Sequence, residues 1–273
     1  MSPDSSSSSV ALPSVGVLPA ERARPDMRLL GLLALGHMVI DINQGSLPAI
    51  LPVIKDALNL SYAATGVIVL SANVTSSMIQ PLFGYLADKT ARRWLLPLSV
   101  LLSSVGLAFM GLAPSYAAVL ALVMITGFGV AAYHPEGYRT ATAVAGERKA
   151  TGVSIFSTGG NIGIALGPPL MTALLIGFGP AGSLGMLVPG LLVAGLLVAV
   201  LPRLSAPPPA AARARANASG ARTMVGAMSL LILVVAIRSW TQLGFTTFMP
   251  FYWEDSVHAG TRISSGPQHG NAF

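Results

Sequence analysis

The chain has 273 residues, 53% hydrophobic and only 10% charged, with a net charge of +6 and a mean hydropathy of +0.68. Soluble domains carry about 25% charged residues, so this chain cannot build a charged shell and the bilayer must be its solvent. The absence of cysteine excludes disulfides, thiolate metal sites and cysteine nucleophiles, and the basic balance points to anionic lipid headgroups rather than nucleic acid.

Residues 1–27 are rich in Ser, Pro and Ala, include the run Ser5 to Ser9, and read as a disordered tail. A cleavable signal peptide is not expected, because no basic region precedes Val10–Ala20 and that stretch is short and broken by proline. Seven apolar stretches follow, each near the ~20 residues a spanning helix needs. They are Arg28–Ile54, Ala64–Ala87, Trp94–Leu112, Tyr116–Val144, Thr151–Phe178, Ser183–Leu201 and Thr223–Trp253. Pro48, Pro52 and Pro135 predict local breaks in the first and fourth. The first six form a bundle over residues 28–202. Residues 203–222, rich in Ala, Pro and Arg, form a linker too polar to span, and 223–253 hold the seventh helix. Residues 254–273 lose the apolar pattern, which predicts a polar tail outside the fold and suggests a shifted reading frame.

Basic residues sort onto alternate connections: Arg22, Arg24 and Arg28 before helix one, Lys89, Arg92 and Arg93 after helix two, Arg148 and Lys149 after helix four, and Arg203, Arg213, Arg215 and Arg222 after helix six. The other connections hold Lys55 or nothing. By the positive-inside rule the N-terminus is cytoplasmic.

Several charges lie inside these apolar stretches, where each costs ~2.5–3.5 kcal/mol on insertion scales and is usually retained for a task. His37, Asp41 and Gln44 lie at i, i+4 and i+7 on one face of helix one. With a rise of ~1.5 Å per residue, Asp41 falls near the midplane. Burial disfavours a charged carboxylate there, which suits a group that loads and releases a proton; a helix-bridging hydrogen bond is the alternative. Helix four offers His134, Glu136 and Arg139, placed nearer the cytoplasmic end than Asp41. Glu136 and Arg139 at i, i+3 can pair; alternatively Glu136 is a second proton carrier while Arg139 attracts an anion or pairs with Asp88. Arg238 in helix seven must snorkel, pair with a carboxylate or face an aqueous cavity, and a guanidinium there suits a tetrahedral oxyanion. Gly159, Gly163 and Gly167 follow a four-residue spacing in helix five that permits close backbone packing, and Asn161 beside them is placed in the cavity.

The segment Gly84-Tyr-Leu-Ala-Asp88-Lys89-Thr-Ala-Arg92-Arg93 resembles the cytoplasmic loop signature of the major facilitator superfamily, with Ala91 where the pattern has glycine. Further motifs occur in order on successive helices. They are His37-x-x-x-Asp41-x-x-Gln44-Gly45-x-Leu47-Pro48-Ala49, Leu60-Ser61-Tyr62, Gln80-Pro81-Leu82-Phe83-Gly84, His134-Pro135-Glu136-Gly137, Gly159-Gly160-Asn161 through Leu166-Gly167-Pro168, and Arg238-Ser239-Trp240 with Phe248-x-Pro250. Together they closely resemble the fosmidomycin resistance protein family, from about Arg28 to Trp253.

The resemblance implies an all-α integral membrane protein of the bacterial plasma (inner) membrane: a six-helix N-terminal bundle and a seventh helix, with the second half of a twelve-helix exporter missing. It implies proton-coupled efflux of small drugs such as phosphonates, by a monomer that needs no cofactor, metal or nucleic acid and is not an enzyme. Its partners are the lipid bilayer, the drug and protons. Proton coupling is assigned to His37, Asp41, His134 and Glu136, and substrate binding to Gln44, Arg139, Asn161 and Arg238. Two other classes stand beside this reading. One is a non-functional truncation, since half a rocking transporter cannot enclose a site. The other is an intramembrane metal protein using His37, Asp41, His134 and Glu136, weakened by the different depths assigned to Asp41 and Glu136.

Overall fold

Where no water can serve the backbone, a chain must satisfy its own amides, and every described segment of length does so as helix. The computed structural model describes residues 25–89, 92–203 and 225–264. Helices α1 (Met27–Ala57), α2 (Tyr62–Lys89), α3 (Leu95–Ala108), α4 (Tyr116–Val144), α5 (Lys149–Phe178), α6 (Leu187–Val200) and α7 (Val225–Ser264) succeed one another without a strand among the described residues. The linker from 204 to 224, the first 24 residues and 265–273 lie outside the described part.

Local chemistry sets the helix ends. Asp26 caps α1 by accepting from the amides of Arg28 and Leu29 at 3.0 and 3.1 Å, and Ser115 caps α4 through the amide of Ala118. Gly146, at φ 58°, follows α4 with a positive φ, and Gly179, at φ 62° and ψ −155°, ends α5 in an extended positive-φ conformation essentially reserved for glycine.

Three expectations differ from the structure. Helices α1 and α4 stay continuous through Pro48, Pro52 and Pro135, as α5 does through Pro168 and Pro169; a proline removes one ladder bond, which a packed membrane helix tolerates. The stretch read as the start of helix six is a 3-10 segment, Gly179–Met186, because Gly179 and Pro180 turn the chain first. And α7 runs on past Trp253 to Ser264. Loss of apolar periodicity argues against burial, not against helix, and residues 254–259 contain neither Gly nor Pro.

Helix α1 touches every other helix, and its tightest neighbour is α5. A Cβ on Gly159, Gly163 or Gly167 would lie 2.2, 2.3 and 2.6 Å from the carbonyl oxygens of Ala34, Met38 and Ile42, so two four-residue rows face each other backbone to backbone. From the α1 side, Gly45 makes the same approach to the Ile164 carbonyl, 2.8 Å from where its Cβ would be. Polar ties lock the register: Ser46 donates to the Gly167 carbonyl at 2.8 Å, Tyr133 of α4 to the Leu33 carbonyl at 2.7 Å, and Asn43 to Ser104 of α3 at 2.9 Å.

Two apolar cores divide the bundle by depth. One gathers Leu30, Leu96, Ala145 and Leu197; the other gathers Ile54, Leu107, Val119 and Met186. At the first end the Asp26 amide donates to Val144 O at 3.3 Å and Arg93 Nη1 to Leu201 O at 3.4 Å. Arg28, Arg93, Arg148, Lys149 and Arg203 therefore share one end of the bundle, while Lys55 lies at the other beside Tyr62.

Tyr62–Leu86, Leu95–Leu112, Tyr116–Val144, the run Lys149–Arg203 that holds α5 and α6, and Met228–Met249 are each long and apolar enough to cross a bilayer. Helix α1 is not among these stretches, because His37, Asp41, Asn43 and Gln44 dilute its hydropathy; it is sheltered instead by its neighbours. The outward faces carry large apolar side chains such as Met78, Ile176 and Leu192, as lipid contact requires.

The glycine seam gives a paired prediction. Gly163→Ala must displace backbone and should lower stability by about 1–3 kcal/mol. Gly177→Ala on the same helix meets nothing within 4 Å and should be neutral or slightly stabilising. Thermal unfolding of both variants in detergent measures this, and equal melting temperatures would remove the seam from the account.

Candidate functional site

His37 and Asp41, one turn apart on α1, point into the angle between α4 and α5. Gly160 of α5 makes the room: a Cβ there would lie 2.5 Å from Asp41 Oδ2 and 2.7 Å from His37 Nε2. The His37 ring stacks on Phe156 at 4.1 Å between centroids, and His134 of α4 meets it edge-on at 4.9 Å. His37 Nε2 lies 3.3 Å from Asp41 Oδ2 and 3.2 Å from His134 Nε2, while His134 Nε2 lies 3.6 Å from Asp41 Oδ1.

Backbone carbonyls assign the imidazole tautomers. His37 Nδ1 is 2.8 Å from Phe156 O, and His134 Nδ1 is 2.8 Å from Val130 O. A carbonyl only accepts, so both Nδ1 atoms carry hydrogen and donate. In the neutral rings both Nε2 atoms are then acceptors, aimed at each other and at a carboxylate. Asp41 Oδ1 is buried and has no hydrogen-bond partner. With Asp41 ionised, three acceptors thus converge with no donor among them, an arrangement that a proton on the carboxyl or another cation relieves. By its donor set such a cluster can hold a proton or another cation.

The expected depth of His134 is revised by this geometry. Its hydrogen bond to Val130, four residues back, draws the ring away from the basic end and level with Asp41.

Glu136 does not join this cluster. It is fully buried and is held by Arg139, whose Nε donates to Oε2 at 3.2 Å and whose Nη2 donates to Oε1; Thr140 and the charge of Arg93 lie nearby. The pair at i, i+3 is thus realised. Arg139 and Lys149 border a separate cavity of about 450 Å³.

A cavity of about 720 Å³ opens between α1, α2, α4, α5 and α7. Its polar walls are amides and hydroxyls, chiefly Gln44, Asn73, Ser76, Thr126, Ser239 and Gln242, and no charged residue lines it among those described. The volume lies within the range of small-molecule sites. The cluster lies one turn from this cavity on two helices, since Gln44 follows Asp41 on α1 and Val130 precedes His134 on α4. Of the four residues assigned to substrate from sequence, only Gln44 lines it; Asn161 and Arg238 are exposed elsewhere, and Arg139 is in the ion pair.

In the loop motif, Gly84 lies against Pro135 of α4, a Cβ there meeting the proline Cβ at 3.9 Å, and Arg93 binds the end of α6. Arg92 is exposed at the start of α3, and the side chains of Asp88 and Lys89 fall outside the described residues. Sequence reasoning did not single out Phe156, Tyr133 or the polar row of α7. Ser239, Gln242 and Thr246 at i, i+3, i+7 carried the signal, hidden within an apolar stretch.

Removing one partner of a buried ion pair costs more than removing both. Arg139→Leu should therefore destabilise the bundle by about 3–5 kcal/mol, and adding Glu136→Gln should recover a large part of the loss. Thermal melting of the two variants in detergent decides it; a double variant no better than the single would mean Arg139 matters for packing alone.

Comparison with known proteins places this geometry in a lineage. Residues 33–268 match the sequence model of the Major Facilitator Superfamily. The chain is 35% identical over 158 residues to the fosmidomycin resistance protein of Escherichia coli (strain K12), a match covering 58% of this chain and 39% of that protein. It is 33% identical over 155 residues to an uncharacterized MFS-type transporter, YfnC, of Bacillus subtilis (strain 168), covering 57% of this chain and 38% of the relative. The matched segments thus span about two fifths of the length of each relative. With its helical bundle, its apolar spans and a family match across most of its length, the chain belongs to the Major Facilitator Superfamily of multi-pass membrane transport proteins.

Proposed function

We propose that the chain serves proton-coupled efflux of small drugs by alternating access, with its basic end in the cytoplasm of a bacterium and its bundle in the inner membrane. The observation that carries this reading is the donor-free meeting of His37, Asp41 and His134 one helical turn from a neutral cavity. Open to the outside, the cluster takes up a proton and gains the donor it lacks. Open to the less acidic cytoplasm, it releases the proton and the unmatched lone pairs return. Gln44 and Val130 tie each protonation state to the shape of the cavity wall, because they ride on the same helix turns as the cluster.

The likeness to a fosmidomycin resistance protein supports a small phosphonate-like drug as substrate. The described walls offer such a solute amide donors from Gln44, Asn73 and Gln242 in place of a cation. Positive charge concentrated at one end of the bundle supports the cytoplasmic placing of the N-terminus.

The expected outcome of Asp41→Asn is loss of proton-driven transport with normal membrane insertion. Cells expressing the full chain should tolerate several-fold more fosmidomycin than controls, and a protonophore should abolish the gain. Asp41→Asn should abolish it too, at an equal amount of protein in the membrane. Tolerance that survives the substitution would take Asp41 out of the coupling step.

A further inference from the structure

We propose that His37, Asp41 and His134 form a binding site for a divalent first-row transition metal of the zinc class. This inference rests on the donor set and its spacing and stands apart from the transport reading.

Donor chemistry is the first argument. Two imidazole nitrogens and a carboxylate oxygen suit zinc and its neighbours in the transition series, whereas magnesium and calcium favour sites made of oxygen alone. Both rings already present the correct atom, since each donates Nδ1–H to a carbonyl, Phe156 O for His37 and Val130 O for His134, at 2.8 Å. Orientation of a ligating histidine by a hydrogen bond from its other nitrogen is the usual outer-shell arrangement of metal sites. Here the backbone supplies it twice.

Spacing is the second argument. Ligand atoms held tetrahedrally at about 2.0–2.1 Å from a zinc ion lie about 3.3–3.4 Å from one another. The observed separations are 3.2 Å between the two Nε2 atoms, 3.3 Å from His37 Nε2 to Asp41 Oδ2, and 3.6 Å from His134 Nε2 to Asp41 Oδ1. The carboxylate meets the two rings through different oxygens. With one ligand atom taken from each residue, the three atoms lie within 4.8 Å of one another. A small turn of the Asp41 carboxylate would thus bring three ligands to the corners of a tetrahedron, with the fourth left for water or a solute oxygen.

Burial is the third. Asp41 Oδ1 has no partner, and the Asp41, His37 and His134 side chains are 10%, 5% and 18% exposed, so bulk water has little access to the acceptors. Glu136, the fourth candidate ligand in sequence, is occupied by Arg139 and takes no part. A metal ion and the transported proton would compete for the same lone pairs, so metal occupancy would arrest a coupling cycle that used them.

Zinc binding to the purified full chain in detergent tests the proposal, with Zn2+ added against a chromophoric chelator and Mg2+ as the counter-probe. His258 and His269, the two histidines outside the cluster, are first replaced by Gln to remove background binding. One Zn2+ per chain is expected, unaffected by excess Mg2+, and Co2+ in its place should give the intense visible absorption of a tetrahedral site. Asp41→Asn and His134→Gln should each weaken Zn2+ binding by more than about 100-fold, since even outer-shell changes cost 10–100-fold. Gly160→Ala keeps all three ligands but intrudes on two of them, and should weaken binding while favouring the helix. Circular dichroism and melting confirm that each variant is folded. Zn2+ binding that ignores all three substitutions, or no binding by the folded background protein, would overturn the site. Zinc binding without drug tolerance would fail the transport reading alone, and drug tolerance without zinc binding would fail this inference alone.

Discussion

The contact on which the rest of the bundle depends is the backbone seam between α1 and α5. Gly159, Gly163 and Gly167 sit against the carbonyls of Ala34, Met38 and Ile42, with no side chain between. In a bilayer there is no hydrophobic force to drive helices together, so close packing and interhelical hydrogen bonds must do so. The seam provides the first, and Ser46, Tyr133 and Asn43 provide the second at successive depths. Because the rows match residue for residue, they also fix rotation: α1 cannot turn without driving its carbonyls into α5. That is what holds His37 and Asp41 toward Gly160 and His134 rather than toward lipid.

The cluster follows from this register. His37 would be an ordinary helix histidine if Phe156 did not both stack on its ring and accept from its Nδ1. His134 is set by its own helix, through Val130. Neither imidazole is free to turn a donor toward the other, and the conflict of lone pairs is built into the fold instead of being relaxed by rotamer choice. A polar group left in this condition inside a protein is costly, and its placing beside a cavity is what separates it from the structural hydrogen bonds around it.

Much of this was legible in sequence because the bilayer leaves few options. Stretches of apolar residues near 20 long, divided by basic connections, yield helices and their alternation directly. The shared face of His37 and Asp41 followed from the four-residue spacing, and the glycine row from its own period. The meeting of Asp41 with His134 was not legible: Asp41 and Glu136 are both carboxylates in apolar helices, and only tertiary packing assigns one to a histidine pair and the other to Arg139. Arg238 shows the converse limit. The run from Leu230 to Val235 is apolar on every face, so no periodicity tells which side of α7 turns inward; the structure turns Ser239 and Gln242 to the cavity and leaves Arg238 exposed. The length of α7 was missed for a related reason, since hydrophobic pattern reports burial and the segment to Ser264 is helical without it.

The separation of charge from cavity constrains how any coupling must operate. On α4 the Glu136 charge is matched by Arg139, on α1 Asp41 meets only the two imidazoles, and the cavity wall carries only amides, hydroxyls and apolar groups among the described residues. A solute in the cavity therefore meets no ionised side chain of this bundle and is selected there by shape and hydrogen bonding. Asp41 does not line the cavity, so a change in its state reaches a solute there through the field of its charge and through the helix turns that join Asp41 to Gln44 and His134 to Val130. The seam makes this path stiff on the α1 side, because α1 can move only together with α5. Helix α4 is held to α1 by a shared apolar core that includes Leu33, Ile40 and Tyr133, by the Tyr133 hydrogen bond to Leu33 O and by the histidine pair, with no glycine row of the α1–α5 kind between them. The cluster thus spans the joint between α1 and α4, and both helices border the cavity.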